Sequence, residues 1–304
     1  LEKLFKRSSL FADISLLLVA IIWGGGFIAV KDSLDVLTPY YQMALRFSIS
    51  TLLMYIVFYN KVKKINKNQF KHGAIIGVFL FLGFAFQTVG IKYTTAGKSA
   101  FLTAVYVVLV PFLQWIIIKR KPDNYSIAGA VICLLGISFL TLQGGFSLNY
   151  GDGLTLICAF AFAGQILAIG KYVELDDPLI LTIVQLGVAA VLSLIVALFF
   201  EPIPTHMNLR AISSILYLAV FSTTLAFLVQ NIAQKYTSST HAAIILSLES
   251  FFGAVFSVFF FNEIFNIAMI VGCILIFIAI ITTETKLEFL KKRANNADSN
   301  ENIM

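Results

Sequence analysis

Charge is what this chain has least of. Asp, Glu, Lys and Arg make up only 12% of its 304 residues, where a soluble domain carries about a quarter. Such a chain lacks the polar side chains to cover a water-facing surface, so a soluble globular protein is excluded. Cysteine is scarce as well: Cys133, Cys158 and Cys273 lie inside apolar stretches with no CxxC spacing, and they read as small helix-packing residues. His72, His206 and His241 are scattered, which argues against a metal site. No GxxxxGK[ST] phrase occurs, so direct ATP coupling within this chain is not expected. The run Gly24–Gly26 follows no strand, which empties a phosphate-cradle reading. No cofactor is expected. The net charge of +6 does not point to nucleic acid, because the basic residues gather in short links and at the two ends.

What is present is hydrocarbon. Hydrophobic residues form 59% of the chain and the mean hydropathy is +0.90. Apolar runs of about 20 residues, each long enough to cross a bilayer as a helix, recur throughout. The fold class expected is an all-α polytopic membrane protein with ten spans, at 12–30, 39–59, 73–91, 98–118, 125–142, 152–172, 178–199, 211–232, 241–261 and 265–283. No cleavable signal is visible, and the charged opening LEKLFKRSSLFAD reads as a cytoplasmic tail. With that end inside, seventeen of the 22 Lys and Arg fall on the cytoplasmic side. Only Lys31, Lys92, Lys98 and Arg210 fall outside, and Arg46 lies within the second span. This bias places both termini in the cytoplasm.

The chain also repeats itself. At an offset of 143 residues Leu82, Phe84 and Gln87 meet Leu225, Phe227 and Gln230, and Lys92-Tyr93-Thr94 meet Lys235-Tyr236-Thr237. Upstream an offset of 139 pairs Asp13 with Asp152, Gly25 with Gly164 and Pro39 with Pro178. Five spans per repeat is an odd number, so the second copy enters the membrane from the opposite face. The expected units are 1–143, 144–285 and a cytoplasmic tail, 286–304. Inverted repeats of helices are the architecture of secondary transporters, with substrate bound near the midplane between the halves.

The motifs resemble a known family. WGGGFIAVK from Trp23 to Lys31, Pro39 with Leu45-Arg46-Phe47, YTTAGKSAFLT from Tyr93 to Thr103 and Pro111 are similar to the first EamA repeat. SSTHAA from Ser238 to Ala243, Leu248-Glu249 and Phe261-Asn262-Glu263 are similar to the second. The resemblance, to the drug/metabolite transporter superfamily, implies five-plus-five helices in a bacterial inner membrane and export of small polar metabolites, amino acids or related zwitterions above all. It also implies a central cavity lined by spans 1, 3, 4, 6, 8 and 9. Glu249 is followed by Ser250 where many relatives carry proline, and Pro111 has Ala254 as its mate, so unequal bending of the two halves is expected.

An ionisable side chain in hydrocarbon must face the bundle interior or a wet cavity, so the few polar residues within spans are the informative ones. Glu249 and its mate Tyr106 are expected to bracket the site. Glu249 either pairs with a substrate ammonium or changes protonation during coupling; alternatively it only hydrogen-bonds a neighbouring helix. Gln87, Gln165 and Gln230 are further polar candidates, with Trp23, Phe27, Phe84, Phe101, Phe162 and Phe227 as an aromatic wall. Arg46, Pro111 and Glu263 read as structural or gating residues. The expected partners are a small-molecule substrate, the lipid bilayer and, as candidate coupling ion, a proton. Monomer and homodimer stay open. An uncoupled facilitator is the competing reading, and an enzyme is disfavoured for want of a His/Asp/Glu cluster.

Overall fold

A computed structural model describes residues 9–94, 96–119, 121–141, 149–261 and 267–285. Glu263 and the 286–304 tail lie outside the described residues. Each of the ten expected spans contains helix. The first half holds α1 (Ser9–Ser33), α2 (Pro39–Val57), the single turn α3 (Tyr59–Val62), α4 (Lys67–Ile91), α5 (Ala96–Ala104), α6 (Tyr106–Ile118) and α7 (Asn124–Thr141). The second holds α8 (Tyr150–Tyr172), α9 (Pro178–Phe200), α10 (Leu209–Tyr217), a π segment (Leu218–Leu225), α11 (Ala226–Ala233), α12 (Ser239–Leu246), α13 (Glu249–Phe261) and α14 (Ile267–Thr285). Among the described residues, six helical stretches are long and apolar enough to cross a membrane: Leu10–Ser33, Lys67–Ile91, Ser99–Ile117, Tyr150–Tyr172, Pro178–Phe200 and Leu209–Ala233.

The helix starts have local chemical causes. Asn66 and Gln69 close a reciprocal capping box on α4, and Asn149 and Asp152 close one on α8, satisfying amides that the first turn leaves without partners. Proline stands at the first position of both α2 and α9, where its missing N–H costs nothing. The Glu201 carboxylate accepts from the Tyr40 and Tyr41 amides at 3.0–3.1 Å, so a residue past the end of α9 caps α2.

Two spans are interrupted at equivalent places. The fourth breaks at Val105, before Tyr106, and the ninth at Ser247-Leu248, before Glu249. Both halves therefore carry a break, and only the first has a proline in the helix that follows it. On the first side Pro111 cannot donate to the preceding turn, and Val108 N–H reaches back three residues to Val105 O. On the second side no proline is needed. Ser247 Oγ donates to Ile244 O at 2.7 Å, and Leu248 N–H turns to Ile245 O, so a hydroxyl competes with the backbone ladder and tightens the turn.

Contacts between the two halves build the bundle. The most extensive pairings are α7 with α14, α4 with α8, and α9 with α2 and α4. Where α7 crosses α14, a Cβ on Gly136 would lie 2.8 Å from Gly272 O and 2.9 Å from Ile276 N. The opposing backbone fills that space, as small-residue crossings in membranes require. Gly136→Val is expected to cost about 1–3 kcal/mol, read as a lowered melting temperature in detergent. Gly153→Ala, where a Cβ would meet nothing within 4 Å, should leave it unchanged.

Candidate substrate site

The interrupted helices and their neighbours surround a central cavity with about 570 Å³ of empty space, its open mouth included. α1 lines it with Trp23 and Phe27, α4 with Phe84 and Gln87, and α6 with Tyr106. α8 adds Phe162 and Gln165, α11 Phe227 and Gln230, and α13 Glu249. Ten of the eleven residues singled out from sequence therefore share one wall. Phe101 does not: it is buried in the main apolar cluster. Two residues along α5, about 200° around the helix, Thr103 takes the lining position and accepts from Gln87 Nε2 at 3.0 Å.

The repeat is visible in the geometry. Trp23 and Phe227 stand 5.2 Å apart between ring centroids, and their mates Phe162 and Phe84 are also 5.2 Å apart. Phe84 meets its own mate, Phe227, at 6.0 Å. Tyr106 Oη donates to its own mate, Glu249 Oε1, at 3.2 Å. These two self-pairs mark where a pseudo-twofold axis passes. Tyr106 and Glu249 each open a helix that begins mid-span, and a carboxylate at a helix N-terminus is favoured by the exposed amide dipoles.

Arg46 lies behind this wall. It is 1% exposed, and its guanidinium carbon sits 4.4 Å from the Phe84 centroid and 5.4 Å from that of Phe47. Nε and Nη2 donate to Thr223 Oγ1 at 2.9 and 2.8 Å, and Nη2 also reaches Ser222 Oγ at 3.4 Å. Both hydroxyls belong to the π segment, whose wider turns disturb the ordinary i→i−4 ladder. The disturbed carbonyls find other donors: Ser222 O accepts from the Trp23 indole at 2.9 Å, and Ala219 O from Ser50 and Thr224. Pro111 lies within α6, outside the lining.

At one end, amides close the cavity floor. Gln165 and Gln230 face each other at 3.5 Å. Gln230 then donates to Gln234 at 3.1 Å, and Gln234 to Ile166 O at 2.9 Å. The repeated Lys-Tyr-Thr phrase supplies a clasp at each end of the bundle. Thr94 Oγ1 donates to Asp152 at 2.6 Å; at the other end its mate Thr237 is hydrogen-bonded to His241 Nδ1 at 2.8 Å, and that nitrogen faces Asp13, the mate of Asp152, at 3.7 Å.

Sequence reasoning missed Gly26, Val30, Ile91, Thr103, Ile166, Leu218 and Ser222 as lining residues. Gly26 and Ile166 were within reach, being repeat mates of the candidates Gln165 and Phe27. The partnership of Arg46 with Ser222 and Thr223 had no such signal, because it depends on the π segment. Arg46→Lys replaces a planar fork stacked on Phe84 with a point charge. It is expected to destabilise the protein by about 1.5–3 kcal/mol, measured as a lower thermal midpoint, whereas Tyr59→Phe at the exposed turn α3 should have no effect.

Known proteins agree with this architecture. A solved crystal structure superposes with a TM-score of 0.77 over 93% of this chain and 99% of its own, at 17% identity. An uncharacterized transporter of Archaeoglobus fulgidus is 37% identical over 278 residues, 91% of this chain and 87% of that protein. The uncharacterized transporter YoaV of Bacillus subtilis is 23% identical over 266 residues, 85% of this chain and 91% of its own. The profile of the EamA-like transporter family matches twice, at residues 10–142 and 149–285. With both repeats matched and the helices packed as a membrane bundle, the chain belongs to the EamA-like transporter family.

Proposed function

We propose that this chain is a secondary active transporter that carries a small polar metabolite through the central cavity by alternating access. The lining itself is the observation behind this reading. Of its seventeen residues, twelve form six repeat pairs: Trp23 with Phe162, Gly26 with Gln165, Phe27 with Ile166, Phe84 with Phe227, Gln87 with Gln230, and Tyr106 with Glu249. The other five, Val30, Ile91, Thr103, Leu218 and Ser222, line it without their mates. Val30, Ile91 and Leu218 cluster at the end of the bundle where α1 and α4 terminate. The cavity therefore has a symmetric centre and a one-sided extension. Two repeats that exchange conformations would move the extension to the mates Ile169, Gln234, Leu246, Ile75 and Phe79, as alternating access about a fixed site requires.

Glu249 suits a cargo that bears an ammonium group, moved outward across an inner membrane with both termini in the cytoplasm. In proteoliposomes, counterflow of labelled cargo should saturate; linear flux would support an uncoupled facilitator. Glu249→Gln should abolish the pH dependence of uptake, and an unchanged dependence would exclude coupling through this carboxyl. In a background without native cysteine, Val30→Cys and Ile169→Cys should react with an impermeant thiol reagent from opposite faces. Ile169→Cys that stays unreactive in every condition would defeat alternating access.

A further inference from the structure

The lining also discriminates by charge, and a preference of that kind rests on the transport reading of the same cavity. Glu249 is the only carboxylate among the lining residues, and no Lys, Arg or His side chain lines the cavity among the described residues. The permanent cation nearest the lining, Arg46, has Phe84 stacked on it and is bonded to Thr223 and Ser222. A cargo carboxylate would have to displace these contacts to reach it. Any other position in the cavity offers that carboxylate only neutral donors, and a buried charge without a partner is costly.

A cargo cation meets the opposite situation. Trp23, Phe227, Phe84 and Phe162 form a continuous belt, with centroid spacings of 5.2, 6.0 and 5.2 Å. Aromatic faces are negative, so rings that cradle an apolar body also attract the cation attached to it. Arg46 occupies a face of Phe84, which leaves Trp23, Phe162 and Phe227 free of that competing charge. Glu249 lies 5% exposed, held by Tyr106, where a charge-assisted hydrogen bond to an ammonium is stronger than in water.

We propose that the cavity selects amine monocations with a planar apolar body, the arylalkylamine class, over zwitterions and anions built on the same body. The test uses three probes that share one phenyl ring: phenethylamine, phenylalanine and phenylacetate. Each is titrated calorimetrically into the full-length protein in lipid nanodiscs. Phenethylamine should bind about tenfold or more tighter than phenylalanine, as expected for an unpaired carboxylate, and phenylacetate should give no heat. Glu249→Gln should weaken phenethylamine by a similar factor, while the unliganded melting temperature stays near that of the parent. Phenylalanine binding as tightly as phenethylamine would overturn the proposal, as would phenethylamine binding that ignores Glu249→Gln or is absent. The thiol labelling of Val30→Cys and Ile169→Cys needs no cargo. A failed charge preference with intact labelling sinks the cargo class alone, and failed labelling sinks the transport reading.

Discussion

Hydrocarbon offers no hydrogen bonds, and the arrangement of this protein is a response to that denial. Every backbone polar group drawn into the hydrocarbon must find a partner from the protein itself. Where the backbone leaves its regular ladder, a side chain takes over: Ser247 at the break before Glu249, Ser50 and Thr224 on Ala219 O, and the Trp23 indole on Ser222 O. These irregularities cluster around the cavity. Non-helical backbone at membrane depth is tolerated only where it is buried in protein or lines a hollow. The breaks also place two fresh helix N-termini, at Tyr106 and Glu249, on the pseudo-twofold axis.

Symmetry and its violations divide the labour. The paired residues shape a centre that looks alike from both halves. The unpaired features give it identity. Glu249 faces Tyr106 instead of another carboxylate, Gln165 has Gly26 as its mate, and Arg46 has Gln185. Ser222 and Thr223, which hold the guanidinium, correspond to Phe79 and Leu80 in the other half. A charged anchor thus exists on one side only, and it coincides with a π segment that the fourth helix lacks.

Much of this is legible in the chain because hydrocarbon and repetition both leave strong marks. Apolar runs set the spans, and the offsets of 139 and 143 relate Tyr106 to Glu249 without any geometry. Polar residues in apolar runs are rare enough that those near the repeat motifs, such as Gln87 and Gln230, belong to the wall. Aromatic residues are more ambiguous: Phe101 and Phe84 look alike in sequence, and only the rotation of α5 separates them. The breaks are harder to read, because proline is the conspicuous cause of bending while a serine hydroxyl achieves the same turn. The π segment is illegible, since nothing in LAVFSTTL distinguishes it from an ordinary helix except what Arg46, Ser50 and Trp23 do to it.

The clasps at the two ends have a consequence for how such a chain arises and folds. Thr94 belongs to the first half and its partner Asp152 to the second; His241, which Thr237 holds, belongs to the second and Asp13, which it faces, to the first. The Trp23–Phe227, Phe84–Phe162 and Tyr106–Glu249 pairs cross between halves in the same way. Neither copy contains the partner for its own half of a clasp. One repeat standing alone would leave these groups unmatched, and it could complete them only against the other repeat. The two repeats are thus units of descent rather than units of folding. A chain cut between them has to reassemble before either piece has a finished interior.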